Sequence, residues 1–225
     1  MSAVSPDVID ALRRYDTPTL ANAVESFDRR PHDAGFASLD IRCMFPDLPP
    51  LVGFAATATI RSRGKASERN LEALYEHVAA VRAPRVAVVQ DLDQPPAHGA
   101  LWGEVQSNIF KRLGCDGAIT DGCVRDLDEV HGLGFHLFAR GPCVSHAYVR
   151  VEQTALEVDV GGLRVQPNDL IHADKHGVLL IPLDIAGALP AAADALIARE
   201  RELIKWVRSP GFSARAIAEK RRIEH

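Results

Sequence analysis

Trp102-Gly103-Glu104-Val105-Gln106-Ser107-Asn108-Ile109-Phe110-Lys111-Arg112-Leu113-Gly114-Cys115-Asp116-Gly117-Ala118-Ile119-Thr120-Asp121-Gly122-Cys123-Val124-Arg125-Asp126 decides how this chain is built. Val105, Ile109 and Leu113 recur at helical spacing, Gly103 breaks the chain before them, and Gly114 stands where a C-terminal cap is expected. Ala118-Ile119-Thr120 then suits a short buried strand, and Asp121-Gly122 turns the chain so that Arg125 and Asp126 emerge at its end. A helix that opens on Glu104 and a strand that ends near Arg125-Asp126 would face one pocket.

Each of those groups has a chemical use. A hard divalent cation such as Mg2+ takes one or two carboxylates and keeps several waters, leaving room for substrate oxygens, so Asp126 is the first-choice ligand. Arg125 offers a planar fork of donors that grips a carboxylate and neutralises charge developing on it. Backbone N–H groups at the start of the Glu104 helix add anion affinity. The bland alternative is a solvated helix start with surface ion pairs, since Asp128 and Glu129 follow directly.

The same organisation extends outward. Ser5-Pro6-Asp7 starts a capped helix, and Thr17-Pro18 repeats that logic with Pro at the first helical position. Residues 28–50 read as an irregular loop before a strand from Gly53 to Arg61, whose threonine alternation fits half-burial. A helix is expected from Ser67 to Val81, then a strand at Val86-Ala87-Val88-Val89 covered on both faces, ending in the polar Gln90-Asp91-Leu92-Asp93. Past Arg140 come short strands. Gly161-Gly162 lies between two of them, and Asp174-Lys175-His176-Gly177 reads as a hairpin turn rather than a histidine metal cluster with His172. Asp184 or a neighbour is the expected cap of an alanine-rich helix to about Val207, and Ser213 of the last one. His146 would line the pocket as a proton donor or serve as a satisfied structural histidine.

Composition excludes several classes. The chain has 225 residues, 47% of them hydrophobic, and a net charge of -4, enough for one domain with its own core. No basic block is interleaved with aromatics, Lys220-Arg221-Arg222 reading as a solvated tail face, so no nucleic-acid groove is expected. No apolar run approaches the ~18 residues that span a membrane, and the start lacks a signal-peptide pattern, so a cytoplasmic protein is expected. Cys43, Cys115, Cys123 and Cys143 have no C-x-x-C spacing and are expected to fill apolar gaps rather than form disulfides or zinc sites. Cys123, two residues before Arg125, would confer thiol-reagent sensitivity without being the catalyst. The chain has no G-x-G-x-x-G after a strand, so neither a nicotinamide cofactor nor a methyl donor has a cradle.

Gly103-Glu104, twenty intervening residues and Arg125-Asp126 together resemble the RraA-like family, which includes divalent-metal 4-hydroxy-4-methyl-2-oxoglutarate aldolases and oxaloacetate decarboxylases, and whose members are often labelled demethylmenaquinone methyltransferases. Thr17-Pro18-Thr19-Leu20-Ala21-Asn22-Ala23, Gly134 to Gly141 and Asp174-Lys175-His176-Gly177-Val178 with Ile181-Pro182 carry the likeness across residues 15–205. The resemblance implies an α/β fold of the three-layer β/β/α swivelling type, similar to phosphohistidine domains. It implies one domain over residues 1–225 with N-terminal helices and a C-terminal helical arm, assembled as a homotrimer or homohexamer with the site at a subunit interface. It implies Mg2+ or Mn2+ held by Asp126 with Glu104 assisting, where the family's aldolases have an aspartate one methylene shorter. Arg125, Glu104 and Asp126 would be catalytic, and Arg125, Gly103, Val105 and Gln106 would bind a small 2-oxo acid, cleaved through a pyruvate enolate. The family aldolases also borrow a glutamate from a neighbour's C-terminal region, for which Glu200 and Glu202 are candidates. The family's namesake instead inhibits a ribonuclease complex through protein contact, so a non-catalytic binding regulator is the alternative.

Overall fold

A computed structural model describes residues 4–223. In chain order its elements are α1 (Pro6–Leu12), α2 (Thr17–Glu25), β1 (Arg42–Cys43), β2 (Leu51–Arg61), α3 (Leu71–Ala80), β3 (Arg85–Asp91), α4 (Glu104–Arg112), β4 (Cys115–Thr120), β5 (Cys123–Val124), α5 (Leu127–Gly132), β6 (His136–Ala139), β7 (Gly141–Pro142), β8 (Arg150–Thr154), β9 (Val158–Val160), β10 (Leu163–Val165), β11 (Leu170–Asp174), β12 (Gly177–Ile181), α6 (Leu189–Val207) and α7 (Ala214–Ile223). The side chains of Lys220-Arg221-Arg222 lie outside the described residues.

Helix starts follow local chemistry. Ser5 Oγ accepts from the Val8 N–H, with Pro6 in the first turn of α1. In α2 the cap is Asp16, whose Oδ1 accepts from the Thr19 N–H at 2.8 Å, so Thr17 is already helical and Pro18 follows it. Thr17 is engaged across the core instead: its hydroxyl meets His172 Nδ1 at 3.0 Å and its N–H donates to Asp174 Oδ2 at 3.0 Å. α4 begins at Glu104 after Gly103 and stops before Gly114, whose φ of +76° suits glycine at that helix end.

Two expected helix starts move. α3 begins at Leu71 rather than Ser67, because the preceding residues pair with the start of β8: the Val151 N–H donates to the Arg69 carbonyl at 2.9 Å, and Asn70 Nδ2 donates to the Val151 carbonyl at 3.3 Å. Asp184 does not cap α6. It pairs with Arg29 at 3.1 Å, and α6 starts at Leu189 with Ala188 at the cap position and no side-chain cap.

The main sheet runs β1-β6-β4-β3-β2-β11-β12, with β8 also paired to β2. β2, β3, β4 and β6 are parallel neighbours, and the remaining pairings are antiparallel. The expected half-burial of the second strand is corrected, since Leu51 to Ile60 are all buried. Val52, Phe54, Ala56, Ala58 and Ile60 pack with Leu20, Leu74, Phe110 and Leu189 of the helices, whereas Leu51 and Ala55 pack with Val158, Val160, Leu163 and Val165 of the β9–β10 hairpin. Small and β-branched side chains therefore reflect coverage on both faces, with hairpin, sheet and helices forming three layers, β/β/α.

Turn chemistry behaves as expected. Gly161 and Gly162, both at positive φ, join β9 to β10, and Lys175-His176 joins β11 to β12. The loop 28–50 holds one short strand, β1, against β6. α6 packs on α1 and α2, and Tyr15 Oη donates to Asp194 Oδ1 at 2.8 Å. Glu200 and Glu202 are exposed on α6, and Ser213 Oγ accepts from the Ala216 N–H as the cap of α7. Among the described residues no helix is long and apolar enough to cross a membrane.

The cysteine expectation holds in part. Cys115 is buried and Cys43 half-buried, both free, but Cys123 and Cys143 form a disulfide. Parallel pairing of β5 with β7 sets Cys123 opposite Gly141, which brings Cys143 to a Cα–Cα distance of 5.8 Å.

Phe110 ties α4 to the rest, fully buried and packed edge-on against Trp102 at 4.6 Å and Tyr75 at 5.8 Å between ring centroids. Phe110→Ala is expected to cost about 3–5 kcal/mol in urea unfolding, the range for emptying a buried aromatic site; a loss under about 1 kcal/mol would show that α4 is not held by this core.

Candidate active site

Three buried aspartates staple the carboxyl ends of β2, β3 and β4. Asp93 Oδ2 accepts from the Ser62 N–H at 2.7 Å, the Ser62 hydroxyl at 2.6 Å and the Arg63 N–H at 3.0 Å. Asp91 accepts from the Asp93 and Ala97 N–H groups at 3.0 and 2.8 Å, and Asp121 Oδ1 accepts from the Asp91 N–H at 2.7 Å. Burial pushes Asp91 up and Asp121 up to about 6. Burial acts on Asp93 too, but its bonds from Ser62 and Arg63 outweigh it and hold that carboxyl below the ordinary range. These carboxylates shape the loop 92–103, which ends at Gly103.

Above them two segments close on each other. Trp102 bridges Val124 in parallel, and the Arg125 N–H donates to the Trp102 carbonyl at 3.0 Å. The Glu104 N–H donates to Asp126 Oδ2 at 3.0 Å, and Arg125 Nε lies 3.6 Å from that oxygen. Gly103 permits this approach: a Cβ there would stand 2.5 Å from Asp126 Oδ2 and 3.1 Å from Arg125 Cγ and Nε. Having no side chain, Gly103 cannot cap α4, and Asp126 supplies the acceptor from across the gap. Asp126 itself sits at φ +55°, ψ +48°, a left-handed conformation that aspartate tolerates better than most residues and that recurs at functional sites.

The arrangement leaves oxygen donors available. Among the described residues no hydrogen bond or ion pair engages Asp126 Oδ1 or the Glu104 carboxylate, and no group of three or more His, Cys, Asp and Glu side chains is arranged to hold a metal ion. Two carboxylates with open surroundings match what a hard, water-retaining divalent cation accepts, and do not match a soft-metal cage. Arg125 and Asp126 side chains are 37% and 31% exposed, so their ion pair contributes about 1 kcal/mol at most to stability.

Of the residues singled out in the sequence, Gly103, Glu104, Arg125 and Asp126 come together here. Val105 lies beside them and is 67% exposed. Gln106 is engaged elsewhere, its Oε1 accepting from Tyr75 Oη at 2.9 Å. His146 is exposed in the segment after β7, with Nδ1 2.7 Å from the Ala147 carbonyl oxygen, so it is not a core histidine. His172 is fully buried against Thr17, where burial pushes it down to about 4. The staple of Asp91, Asp93 and Asp121 was missed: the polar run after β3 marks a strand exit, but a pairing between residues 91 and 121 leaves no local trace. Cavities of about 640 and 560 Å³ lie elsewhere, one between α3 and β8, the other between α1 and the start of α6.

Asp121 makes stability depend on pH. Its folded value near 6 exceeds the ordinary 3.8, so the folded state holds the proton more tightly, and the stability this supplies is complete below about pH 4 and lost as pH rises through 6. His172 acts oppositely over that window, losing stability as pH falls toward 4, so variant and wild type must be compared directly. Asp121→Asn, a neutral isostere that keeps the acceptor for the Asp91 N–H, is expected to exceed wild type in thermal unfolding by a clearly wider margin at pH 8 than at pH 5, where part of the protonation-linked stability is still present. An identical difference at both pH values would contradict this account of Asp121.

Comparison with known proteins agrees with this architecture. A protein of Halalkalibacterium halodurans named "Putative 4-hydroxy-4-methyl-2-oxoglutarate aldolase" is 29% identical over 133 residues, 59% of this chain and 60% of that protein. The chain spans 50% and 60% of the lengths of the first two curated relatives it matches. Among solved structures, an uncharacterized protein from Pseudomonas syringae pv. tomato superposes with a TM-score of 0.75 at 22% identity, covering 100% of this chain and 96% of that one. Streptomyces coelicolor RraAS2, described as an unusual member of the RNase ES inhibitor RraA protein family, superposes with a TM-score of 0.69 at 22% identity, covering 92% of this chain and 100% of that one. At those identities the structures establish the fold alone. The family described as RraA-like, Aldolase/RraA, matches residues 5–180, most of the 225-residue chain, and the protein belongs to that family.

Proposed function

We propose that this protein is a divalent-metal-dependent carbon–carbon lyase acting on small 2-oxo acids, by retro-aldol cleavage of 4-hydroxy-2-oxo acids, by decarboxylation of oxaloacetate, or by both. The observation that carries the reading is the closure over Gly103, which sets the Arg125 guanidinium and the Asp126 carboxylate against the helix start formed by Glu104, an exposed residue that brings a second carboxylate to the same helix end. Aldolase names among relatives about 30% identical support the class of chemistry.

In this reading Asp126, through its open oxygen, and Glu104 hold Mg2+ or Mn2+. Such an ion, when bound, supplies a Lewis acid for the 2-oxo oxygen of the substrate. Arg125 grips the substrate carboxylate with its planar fork and balances the charge that builds up as the C3–C4 bond breaks. The bonding electrons move onto the 2-oxo oxygen, giving the pyruvate enolate, and the departing carbon leaves as carbon dioxide from oxaloacetate or as a carbonyl compound from a 4-hydroxy acid. For the latter, Glu104 accepts the 4-hydroxyl proton directly or through water, and that proton returns to C3 of the enolate to complete pyruvate; after loss of carbon dioxide from oxaloacetate the C3 proton comes from water in the site, leaving hydroxide that bulk solvent neutralises. Val105 and Val144, 67% and 97% exposed near this surface, suit closure of the site by a second copy in a trimer or hexamer.

Because Asp126 also caps α4, the decisive substitution keeps the cap. Asp126→Asn preserves an acceptor for the Glu104 N–H while removing the charge a cation needs, and Arg125→Ala removes the fork. Both are expected to retain wild-type unfolding to within about 1 kcal/mol and to lose about 10²-fold or more in metal-dependent pyruvate release from oxaloacetate or 4-hydroxy-4-methyl-2-oxoglutarate, corrected for metal-only decarboxylation. Undiminished turnover in Asp126→Asn would remove the metal role of this carboxylate. Absence of turnover by the wild type on both acids would favour the protein-binding alternative.

A further inference from the structure

Three chain segments meet beside the candidate site, and a covalent bond joins two of them. Residues 99–104 carry Gly103 and Glu104, residues 123–126 carry Arg125 and Asp126, and residues 141–147 lie against both. The third segment has little to order it: β7 is two residues long, Val144 is 97% exposed, Ser145 and His146 are exposed, and Ala147 sits at φ +45°. Its ties to the other two include the short parallel pairing of β7 with β5, the Cys143 N–H donating to the Val124 carbonyl at 2.8 Å, the Ala100 N–H donating to the Ser145 carbonyl at 2.9 Å, and the Cys123–Cys143 disulfide. Gly99 is packed so closely that a Cβ there would stand 2.7 Å from both Ala147 Cβ and the His146 carbonyl oxygen, so a shift of the third segment is felt by the loop leading to Gly103.

The two sulfurs differ in access. Cys123 is 4% exposed, whereas Cys143 is half-buried and sits at the edge of the exposed segment. A thiol on Cys143 would have a ready acceptor, since its Sγ lies 3.5 Å from the Ser145 carbonyl oxygen. The surroundings therefore already hold a partner for the reduced Cys143.

We propose that Cys123–Cys143 is a redox modification site, a reversible thiol–disulfide couple that reacts with small dithiols and their disulfides and whose state sets how firmly residues 141–147 brace Arg125 and Gly103. In the reducing direction a reagent thiolate attacks Cys143 Sγ, the protein S–S bond breaks, and Cys123 Sγ leaves as a thiolate that takes up a proton. The second thiol of the reagent then attacks the mixed disulfide, closing the reagent's own disulfide and releasing Cys143 as a thiol. Two protein sulfurs gain two electrons and two protons, and two reagent thiols lose them.

The test uses the full-length protein oxidised, reduced with dithiothreitol, and as Cys143→Ser. Reduction of the folded protein is expected to add an iodoacetamide label at Cys143 first, with Cys123 labelled more slowly as the segment opens, and to speed amide exchange in peptides covering 97–104 and 141–148 by about tenfold or more, a local loosening without global unfolding. Cys143→Ser should exchange at the faster rate with or without reductant. A second arm rests on the lyase reading: KM for oxaloacetate should rise severalfold on reduction with kcat changing less. Faster exchange without turnover in any form would sustain the redox site while the lyase reading fails. No added labels under native conditions, or equal exchange in oxidised and reduced protein, would overturn the proposal.

Discussion

Everything in this fold hangs on the saturation of β2. Along its eleven residues both edges are engaged: β3 runs parallel on one side, while β11 pairs with the first part of the strand and β8 with the last. Between those two partners, Ala55 and Thr57 find backbone partners at Asn168, Asp169 and Ala155. A strand buried on both faces has no water to satisfy its amides, so every interruption in one partner must be taken over by another. That requirement forces the β8–β11 segments to fold back over the sheet, carries the β9–β10 hairpin onto the second face, and leaves the carboxyl ends of the parallel strands free to deliver loops at one edge.

Those loops are positioned by carboxylates and an absent side chain. Asp93, Asp91 and Asp121 hold consecutive strand ends together through backbone N–H groups, so the loop that ends at Gly103 starts from a rigid base. At Gly103 the missing Cβ lets Asp126 reach the first N–H of α4, and the same approach seats Arg125 against Asp126. One contact therefore serves two ends. It caps a helix, which keeps it in place, and it leaves one carboxylate oxygen without a protein partner beside the exposed Glu104, the arrangement on which the proposed cation and oxo-acid binding rests.

Much of this was legible in the chain because it is local. The helix after Gly103, its stop at Gly114, the strand at Ala118-Ile119-Thr120 and the double-glycine hairpin all follow from spacing within a few residues. The failures are non-local. The start of α3 shifted because Arg69 and Asn70 pair with residues some eighty positions away, and Asp184 was drawn to Arg29 instead of capping α6. The Cys123–Cys143 bond depends on β5 and β7 lying side by side, and the burial of Asp121 on its contact with Asp91, neither of which has a sequence period. Within the candidate site, residue identity and spacing pointed to Glu104, Arg125 and Asp126, whereas the engagement of Gln106 by Tyr75 required the packing of α3 on α4.

The most direct test of the central claim is to see where the cation and an enolate-like anion go. Crystals grown with Mn2+ and oxalate, a planar dianion with adjacent oxygens like those of the pyruvate enolate, can be measured at a wavelength where manganese scatters anomalously. The account predicts one strong anomalous peak at the Asp126 carboxylate, within reach of Glu104 directly or through water, with oxalate oxygens on the Arg125 guanidinium. Manganese bound at another cluster, or oxalate seated away from Arg125, would contradict it.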